Sequence, residues 1–252
     1  MSASATDTAG RSSGGIWIRP ALIAAIVIAV FVWINAVELD SIEQRLLATD
    51  AIVSAVVRHI QLVVISTVTV VALAVPAGIA LTRRNLLSRA LGPPILAIAN
   101  AGQAVPSLGI LVLIAVLFRA LGFWPTIFAL VLYAFLPILR NTIVGIEQVD
   151  ESVIESAVGM GMTKRGVLRK IELPLAVPVV LAGIRTALVI NVGTATVATL
   201  VNSGGLGDIV YGGIVQSRST VLWAGALLVA ALALAIDFLG GLAEDKLRPK
   251  GI

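Results

Sequence analysis

The charged residues between positions 147 and 170 form the most polar stretch of an otherwise apolar chain. Acidic residues come first and basic residues follow: Glu147, Asp150, Glu151, Glu155, then Lys164, Arg165, Arg169, Lys170. This order suits a short helix, because anions are stabilised at a helix N-terminus and cations near its end. Glycines at 159, 161 and 166 then allow sharp turns. We interpret residues 155–174 as a functional connector; the alternative is an amphipathic helix on the lipid surface.

Polar residues also occur inside the apolar segments. Asn100, Gln103 and Ser107 recur at helical intervals beside Pro106, which interrupts the helix. Polar side chains at membrane depth usually face the bundle interior or a water-filled path. A translocation path and structural interhelical hydrogen bonds are equally good interpretations of Asn100 and Gln103. Asn191 and Thr194 form a second candidate part of the path, although packing is favoured for the threonines after Asn191.

Enzymatic motifs are absent from the sequence. The spacing of Gly161 and Gly166 approaches a phosphate-binding loop, but Val167 and Leu168 follow where lysine is required. With one histidine and no cysteine, a zinc site is not expected. No acid–base pair falls in a recognisable pocket. We expect a chain that is not an enzyme, with no catalytic residue, no metal and no cofactor of its own.

The composition indicates an all-α polytopic membrane protein. Of 252 residues, 58% are hydrophobic and 13% charged, far from the balance of a soluble domain. We predict a disordered cytoplasmic N-terminus at 1–15 and a transmembrane domain at 16–252. Six spans are predicted, at about 20–37, 60–81, 92–118, 126–139, 175–201 and 221–239. Residues 38–58 are predicted to form an amphipathic segment outside the membrane, and residues 202–218 a glycine-rich loop.

Six spans place both termini on one side of the membrane. Thirteen Lys and Arg residues fall on the side of the termini and the 145–174 loop, against four on the other side, with Arg185 assigned to neither. The positive-inside rule therefore predicts that the termini and this loop are cytoplasmic. Arg185 is expected to extend to the cytoplasmic interface. Asp237 is expected to be interfacial or paired with a cation on a neighbouring helix.

The connector resembles the coupling motif of permease subunits in binding-protein-dependent ABC importers. That motif reads E-A-A, three residues, G, nine residues, I-x-L-P, and it is matched by Glu155, Ser156, Ala157, Gly161, Ile171, Leu173 and Pro174. Ser156 stands where the family usually has alanine. The resemblance implies a MetI-like permease core whose short cytoplasmic helix docks into a groove of a separate ATPase.

Three further segments, 100–109, 175–185 and 191–207, resemble the osmoprotectant branch of this family, which carries glycine betaine, choline, carnitine and similar solutes. The resemblance implies ATP-driven alternating access in a prokaryotic cell membrane. It also implies four kinds of partner: two ATPase subunits that bind ATP and magnesium, a second permease (identical or related), an extracellular or periplasmic solute-binding protein, and lipid. No nucleic-acid partner is expected, since the cations lie at helix ends.

Two other functions remain open from the sequence. An importer permease for another amino-acid-like solute would share the coupling motif. An ion-coupled secondary transporter, or less plausibly a channel or scaffold, would need no ATPase. Secondary transporters typically carry intramembrane carboxylates, and only Asp237 qualifies here.

Overall fold

Helices make up nearly all of the computed structural model, which describes residues 14–83 and 86–247. The helices are α1 Gly14–Ala36, α2 Ser41–Leu46, α3 Thr49–Thr82, α4 Leu86–Ala104, α5 Ser107–Phe118, α6 Phe123–Glu147, α7 Glu151–Gly159, α8 Lys164–Val167, α9 Leu173–Val197, α10 Leu206–Val215 and α11 Ser219–Leu247. A π-helical turn, Leu168–Glu172, joins α8 to α9, and a 3-10 turn, Ala198–Val201, follows α9. The expected all-α class is confirmed. Of the segment 1–15 predicted to be disordered, residues 1–13 lie outside the described residues, and Gly14 and Gly15 begin α1.

Five segments in the described ranges are long and apolar enough to cross a membrane: α1, α3, α6, the 164–201 segment that contains α9, and α11. A sixth span is counted if α4 and α5 are taken together. The expectation of about six spans therefore agrees with the structure.

The predicted third span differs in shape from a single helix. α4 and α5 meet at an angle of 107°, and the break falls at Val105 and Pro106. Pro106 lies just before α5, where its missing N–H costs no helical hydrogen bond. The sequence located this interruption correctly but did not give the angle, which depends on the helices that pack around it.

Three further boundaries differ from the prediction. The segment 38–58, predicted to lie outside the membrane, is not separate from the second span over its whole length. Its second half belongs to α3, which begins at Thr49 and runs unbroken for 34 residues. α6 continues to Glu147, eight residues beyond the predicted end of the fourth span at 139. The predicted loop at 202–218 contains α10, whose ten residues are too few to stand out as a span.

The centre of the bundle consists of α3, α6 and α9, which approach closely at small residues. A methyl group added at Gly78 of α3 would lie 2.7 Å from Cβ of Thr142 on α6. One added at Gly183 of α9 would lie 2.5 Å from Cβ of Asn141. Small residues permit such approaches between membrane helices. These contacts also place residues 140–142 of α6 at the level of Gly78 and Gly183.

Candidate functional site

The connector begins with a capped helix. Asp150 precedes α7, and its Oδ1 accepts a hydrogen bond of 2.8 Å from the backbone N–H of Ser152. This hydrogen bond satisfies one of the otherwise unpaired N–H donors of the first helical turn. It also stabilises the carboxylate, so the pKa of Asp150 lies below its usual value. The acidic N-terminus that was predicted for the short helix therefore coincides with the start of α7.

Gly161 ends this helix for a stereochemical reason. Its φ of +86° lies in the left-handed region that glycine adopts at little cost. The N–H of Met162 donates to the carbonyl of Ala157 at 3.1 Å, and the N–H of Gly161 to that of Val158 at 2.9 Å. These two bonds form a Schellman motif, which satisfies carbonyls at the helix end. Of the three glycines predicted to permit turns, Gly161 makes this turn.

The basic residues do not lie on the same helix as the acidic ones. Lys164 and Arg165 belong to α8, whose first turn is capped by Thr163, and Arg169 and Lys170 belong to the π-helical turn. The single short helix proposed from the charge order is therefore two helices separated at Gly161. The residues between them form a second turn that the charge order alone did not reveal.

α7 presents apolar side chains on its exposed face although it lies outside the membrane-spanning helices. Val153 is 42% exposed, Val158 51% and Met160 78%. Glu155 and Ser156 are also exposed, whereas Ala157 is buried against the rest of the connector. Val153 and Met160, seven residues apart, lie on the same side of this segment, whereas Val158 lies on roughly the opposite side. Exposed apolar groups in a polar segment are typical of a surface that another protein covers.

The exit of the connector is fixed to the bundle by an ion pair. Glu172, which is 7% exposed, forms a hydrogen-bonded ion pair with Arg83 at the end of α3. Ile171, Leu173 and Pro174 are half-buried around it, and Pro174 lies in the first turn of α9. The exit of the connector and the base of α9 are thus tied to the end of α3. The sequence analysis did not predict the ion pair between Arg83 and Glu172. An acidic residue directly before an apolar helix is a signal that could have indicated it.

Gln103 on α4 has a definite structural task. Pro137 lacks an N–H, so the carbonyl of Tyr133, four residues earlier in α6, has no helical donor. Nε2 of Gln103 donates to this carbonyl at 3.2 Å. A freed carbonyl in a membrane helix must be satisfied by a neighbour. This contact ties α4 to α6 just before the break at Pro106.

Asn100 lies one turn before Gln103, on the surface of the chain. Its Oδ1 accepts a hydrogen bond of 2.6 Å from Nη2 of Arg140, which is also exposed. Ser107 is half-exposed at the start of α5, beyond the break. The structure therefore brings Asn100 and Gln103 to the α4–α6 contact and separates Ser107 from them by the bend.

Asn191 and Thr194 lie in the interior of the bundle. Both are buried on α9, and Nδ2 of Asn191 donates to Ser66 and Thr67 of α3 at 3.0 and 3.1 Å. Such interhelical bonds stabilise membrane bundles by about 0.6 to 2 kcal/mol each. This contact gives Asn191 a structural role, because it joins α9 to α3. A role of Asn191 in a translocation path stays a prediction.

Arg185 on α9 is paired with a carboxylate. Its Nε and Nη2 donate to the two oxygens of Asp237 on α11 at 2.6 and 2.8 Å. Glu244 lies 3.6 Å from Arg185, and Arg19 of α1 lies 3.8 Å from Asp237. The pairing that was expected for Asp237 is therefore present. Arg185 lies between α9 and α11, whereas the sequence suggested that its side chain extends to the cytoplasmic membrane interface.

Comparisons with known proteins agree on one family. The model for "Binding-protein-dependent transport system inner membrane component" matches residues 74–249. A carnitine transport permease protein of Listeria monocytogenes is 41% identical over 182 residues, which cover 72% of this chain and 81% of that protein. A glycine betaine/carnitine/choline transport system permease protein of Bacillus subtilis (strain 168) is 39% identical over 194 residues, 77% and 87% of the two chains.

A solved structure supports the fold independently. A chain of the MetNI methionine ABC transporter, described as inward facing, superposes with a TM-score of 0.71 at 25% identity. The match covers 79% of this chain and 96% of that one. The bundle described above therefore has the same arrangement as that transporter chain over nearly the whole of the latter.

Proposed function

This chain belongs to the family of binding-protein-dependent transport system inner membrane components, and from that premise we propose that it is the permease subunit of an ABC importer for osmoprotectants. The solutes are quaternary ammonium compounds, namely glycine betaine, carnitine, choline or close analogues. Relatives about 40% identical over most of their length transport these compounds according to their names. The chain itself is a transport subunit and not an enzyme.

The observation that carries this proposal is the construction of the connector. α7 is closed by a Schellman motif at Gly161, and Val153, Val158 and Met160 are exposed outside the spans. A short helix that exposes apolar side chains fits a groove on another protein. We assign that groove to a separate ATPase subunit, present in two copies, which binds the ATP and magnesium. The connector and both termini are then cytoplasmic.

The ion pair between Arg83 and Glu172 supplies a mechanical route from this helix to the membrane. When ATP binding closes the two ATPase subunits, α7 moves with them. Because the π-helical turn leads directly into α9, and Glu172 is paired with the end of α3, the movement is passed to two central helices together. Rocking of these helices against a second permease subunit then alternates access between the two sides of the membrane.

Capture of the solute is assigned to a separate extracellular or periplasmic binding protein. Quaternary ammonium groups are bound tightly by cages of aromatic side chains. Only 5% of this chain is aromatic, and Trp17, Trp124 and Trp223 are exposed at the surface. The permease therefore provides a path with weak solute contacts, while the binding protein provides affinity.

The test is reconstitution of the chain with its ATPase in lipid vesicles, with and without Gly161→Asp. We expect the original complex to hydrolyse ATP faster when a loaded betaine-binding protein is added. The substitution places a charged side chain at a left-handed position on the docking face, so it should abolish ATPase binding and uptake while membrane insertion is kept. Gly92→Ala is the matched control, because its added methyl meets only an ordinary 3.6 Å contact with Leu81. Normal uptake by the Gly161→Asp complex would refute the assignment of the connector.

The rival function, an ion-coupled secondary transporter, predicts gradient-driven uptake by this chain alone. Asp237 was the carboxylate that favoured this rival in the sequence. It is bound to Arg185 by two hydrogen bonds, so its charge serves the packing of α9 and α11. Solute uptake in vesicles that contain no ATPase would nevertheless decide for the rival.

A further inference from the structure

The break between α4 and α5 lies near the middle of the spanning region. Gln103, directly before the break, donates a hydrogen bond to the carbonyl of Tyr133 on α6. Along the helix axis, Tyr133 is about 15 Å from the start of α6 at Phe123 and about 21 Å from its end at Glu147. The hydrocarbon core of a bilayer is about 30 Å thick. A break beside the middle of α6 therefore lies inside this layer.

The break leaves backbone groups without helical partners. Every α-helix ends with carbonyls, and begins with N–H groups, that have no partner within the helix. At the end of α4, the N–H of Val105 donates to the carbonyl of Ala101 at 3.2 Å, which leaves the carbonyls after Ala101 to other donors. In α5, the N–H of Ile110 donates to the carbonyl of Pro106 at 3.1 Å, so the N–H groups of residues 107–109 come before this bond. Pro106 provides α5 with no side-chain cap.

The surface of the chain is open at this point. The exposed residues, which we call the break surface, are Ala104, Val105, Pro106, Leu108 and Gly109. Val105 and Leu108 are each 41% exposed. Lipid tails offer no hydrogen bonds, so irregular backbone at membrane depth is found only where protein covers it or where it borders a water-filled cavity. The break surface therefore requires a cover that the described helices of this chain do not supply.

We propose that a second copy of this chain docks on the break surface. This inference rests on the proposed function, which includes a second permease subunit, and it adds the face that this subunit occupies. The cover must itself cross the membrane, because a soluble partner does not reach this depth.

Two-fold symmetry explains why the cover is an identical chain. In a two-fold dimer the same patch serves on both copies, so two break surfaces that meet cover each other. An interface built from any other face of the second copy would leave the break of that copy against lipid. The small side chains of Ala104 and Gly109 let two backbones approach closely, as is common between membrane helices.

Cysteine cross-linking tests the contact. The chain has no cysteine, so each introduced cysteine is the only one in the permease. Ala104→Cys, Val105→Cys and Leu108→Cys are each reconstituted as the complete complex in vesicles and treated with a short bifunctional thiol reagent. We expect at least one of these variants to pass mostly from monomer to covalent dimer on a denaturing gel. Ile28→Cys is the matched control and should stay monomeric, because Ile28 is 62% exposed near the middle of α1, which packs on α11.

Uptake of glycine betaine, carnitine and choline is measured in the same vesicles before cross-linking. Vesicles that take up solute but yield no covalent dimer at any of the three positions would refute the break surface as the interface. Equal dimer formation by Ile28→Cys would refute it as well, since it would reveal random collisions. A cross-link to a different permease chain would overturn the assignment to a second copy. Vesicles that take up none of the three solutes would count against the proposed function instead, whatever the cross-linking result.

Discussion

Arg140 and Arg185 differ in what surrounds them, although they lie at the same level on adjacent helices. Arg185 sits between α9 and α11 with a carboxylate bound to both of its donating nitrogens. Arg140 sits between α4 and α6 with an amide. A cation that only holds helices together requires a resident opposite charge, because an unpaired charge at membrane depth is costly. Arg140 is exposed, and an exposed guanidinium at the end of a span can keep its charge in water without a resident carboxylate.

The helices around Arg185 are shaped to receive it. Added methyl groups at Gly240 and Gly241 would lie 3.3 Å from Cγ and 3.5 Å from Nη1 of Arg185. The two glycines thus let the guanidinium lie flat against α11 and reach Asp237. No comparable pair of glycines faces Arg140 in the described part of the chain. The contact of Arg185 is therefore closely packed, whereas the contact between Arg140 and Asn100 is exposed.

The largest effect is expected from removing the charge of Arg185. Arg185→Gln leaves Asp237 without its main partner, and breaking such a pair on one side should lower the free energy of unfolding by about 2 kcal/mol, less than for a fully buried pair because both side chains are about 30% exposed. Thermal unfolding of the purified protein measures this loss. Uptake of zwitterionic solutes and of choline should fall together, because the pair holds helices and contacts no solute.

The matched control is the double variant Arg185→Gln with Asp237→Asn. Removing both charges leaves no unpaired group, so most of the lost stability should return. A double variant less stable than either single variant would show that the pair does more than neutralise itself. A loss of uptake confined to zwitterionic solutes in Arg185→Gln would show that Arg185 does more than hold α9 to α11.

A somewhat smaller effect is expected at the third arginine contact, between Arg83 and Glu172. Glu172→Gln removes a buried charge partner at the junction of the connector and α9. We expect about 1 to 2 kcal/mol lower stability and a clear loss of ATP hydrolysis stimulated by the loaded binding protein, since the exit of the connector is no longer held to the end of α3. Solute selectivity should not change.

The charge-reversed pair Arg83→Glu with Glu172→Arg tests this assignment directly. Partial recovery of stimulated hydrolysis is expected, because the opposite charges meet again at the same junction. Stimulated hydrolysis that is unaffected by Glu172→Gln would show that movement reaches the bundle through the backbone of α9 alone.

The helices were largely predictable from the sequence, whereas the contacts of the polar residues were not. Hydropathy located the spans and Pro106 located the break, because both signals are local. The end of the connector helix was only narrowed to three glycines, and the second helix after Gly161 was not predicted. The partners of Arg185 and Glu172 lie 52 and 89 residues away, so no local pattern reports them. Gln103 was predicted as polar at depth, but its task depends on Pro137, which lies on another helix.

A smaller effect follows from the contact between Gln103 and Tyr133, which satisfies a carbonyl and carries no charge. Gln103→Leu should cost about 1 kcal/mol, the usual effect of a lost neutral hydrogen bond. Pro137→Ala restores the N–H that the Tyr133 carbonyl lacks, so Gln103→Leu should cost almost nothing in that background. Thermal unfolding of the two single variants and the double variant gives the coupling energy. Equal costs in both backgrounds would show that the proline is irrelevant to Gln103.

The smallest effect is expected at Asp150, where a carboxylate outside the membrane is satisfied by a backbone N–H and not by an arginine. Its pKa is lowered below the usual 3.8 by that hydrogen bond. The cap therefore stabilises α7 above this value and is lost as pH falls through the lower pKa of the folded protein. Hydrogen exchange should show reduced protection of α7 in acid. Asp150→Ser keeps a capping oxygen that does not titrate, so its protection should not depend on pH, and an acid-dependent loss in this variant would assign the effect to another group.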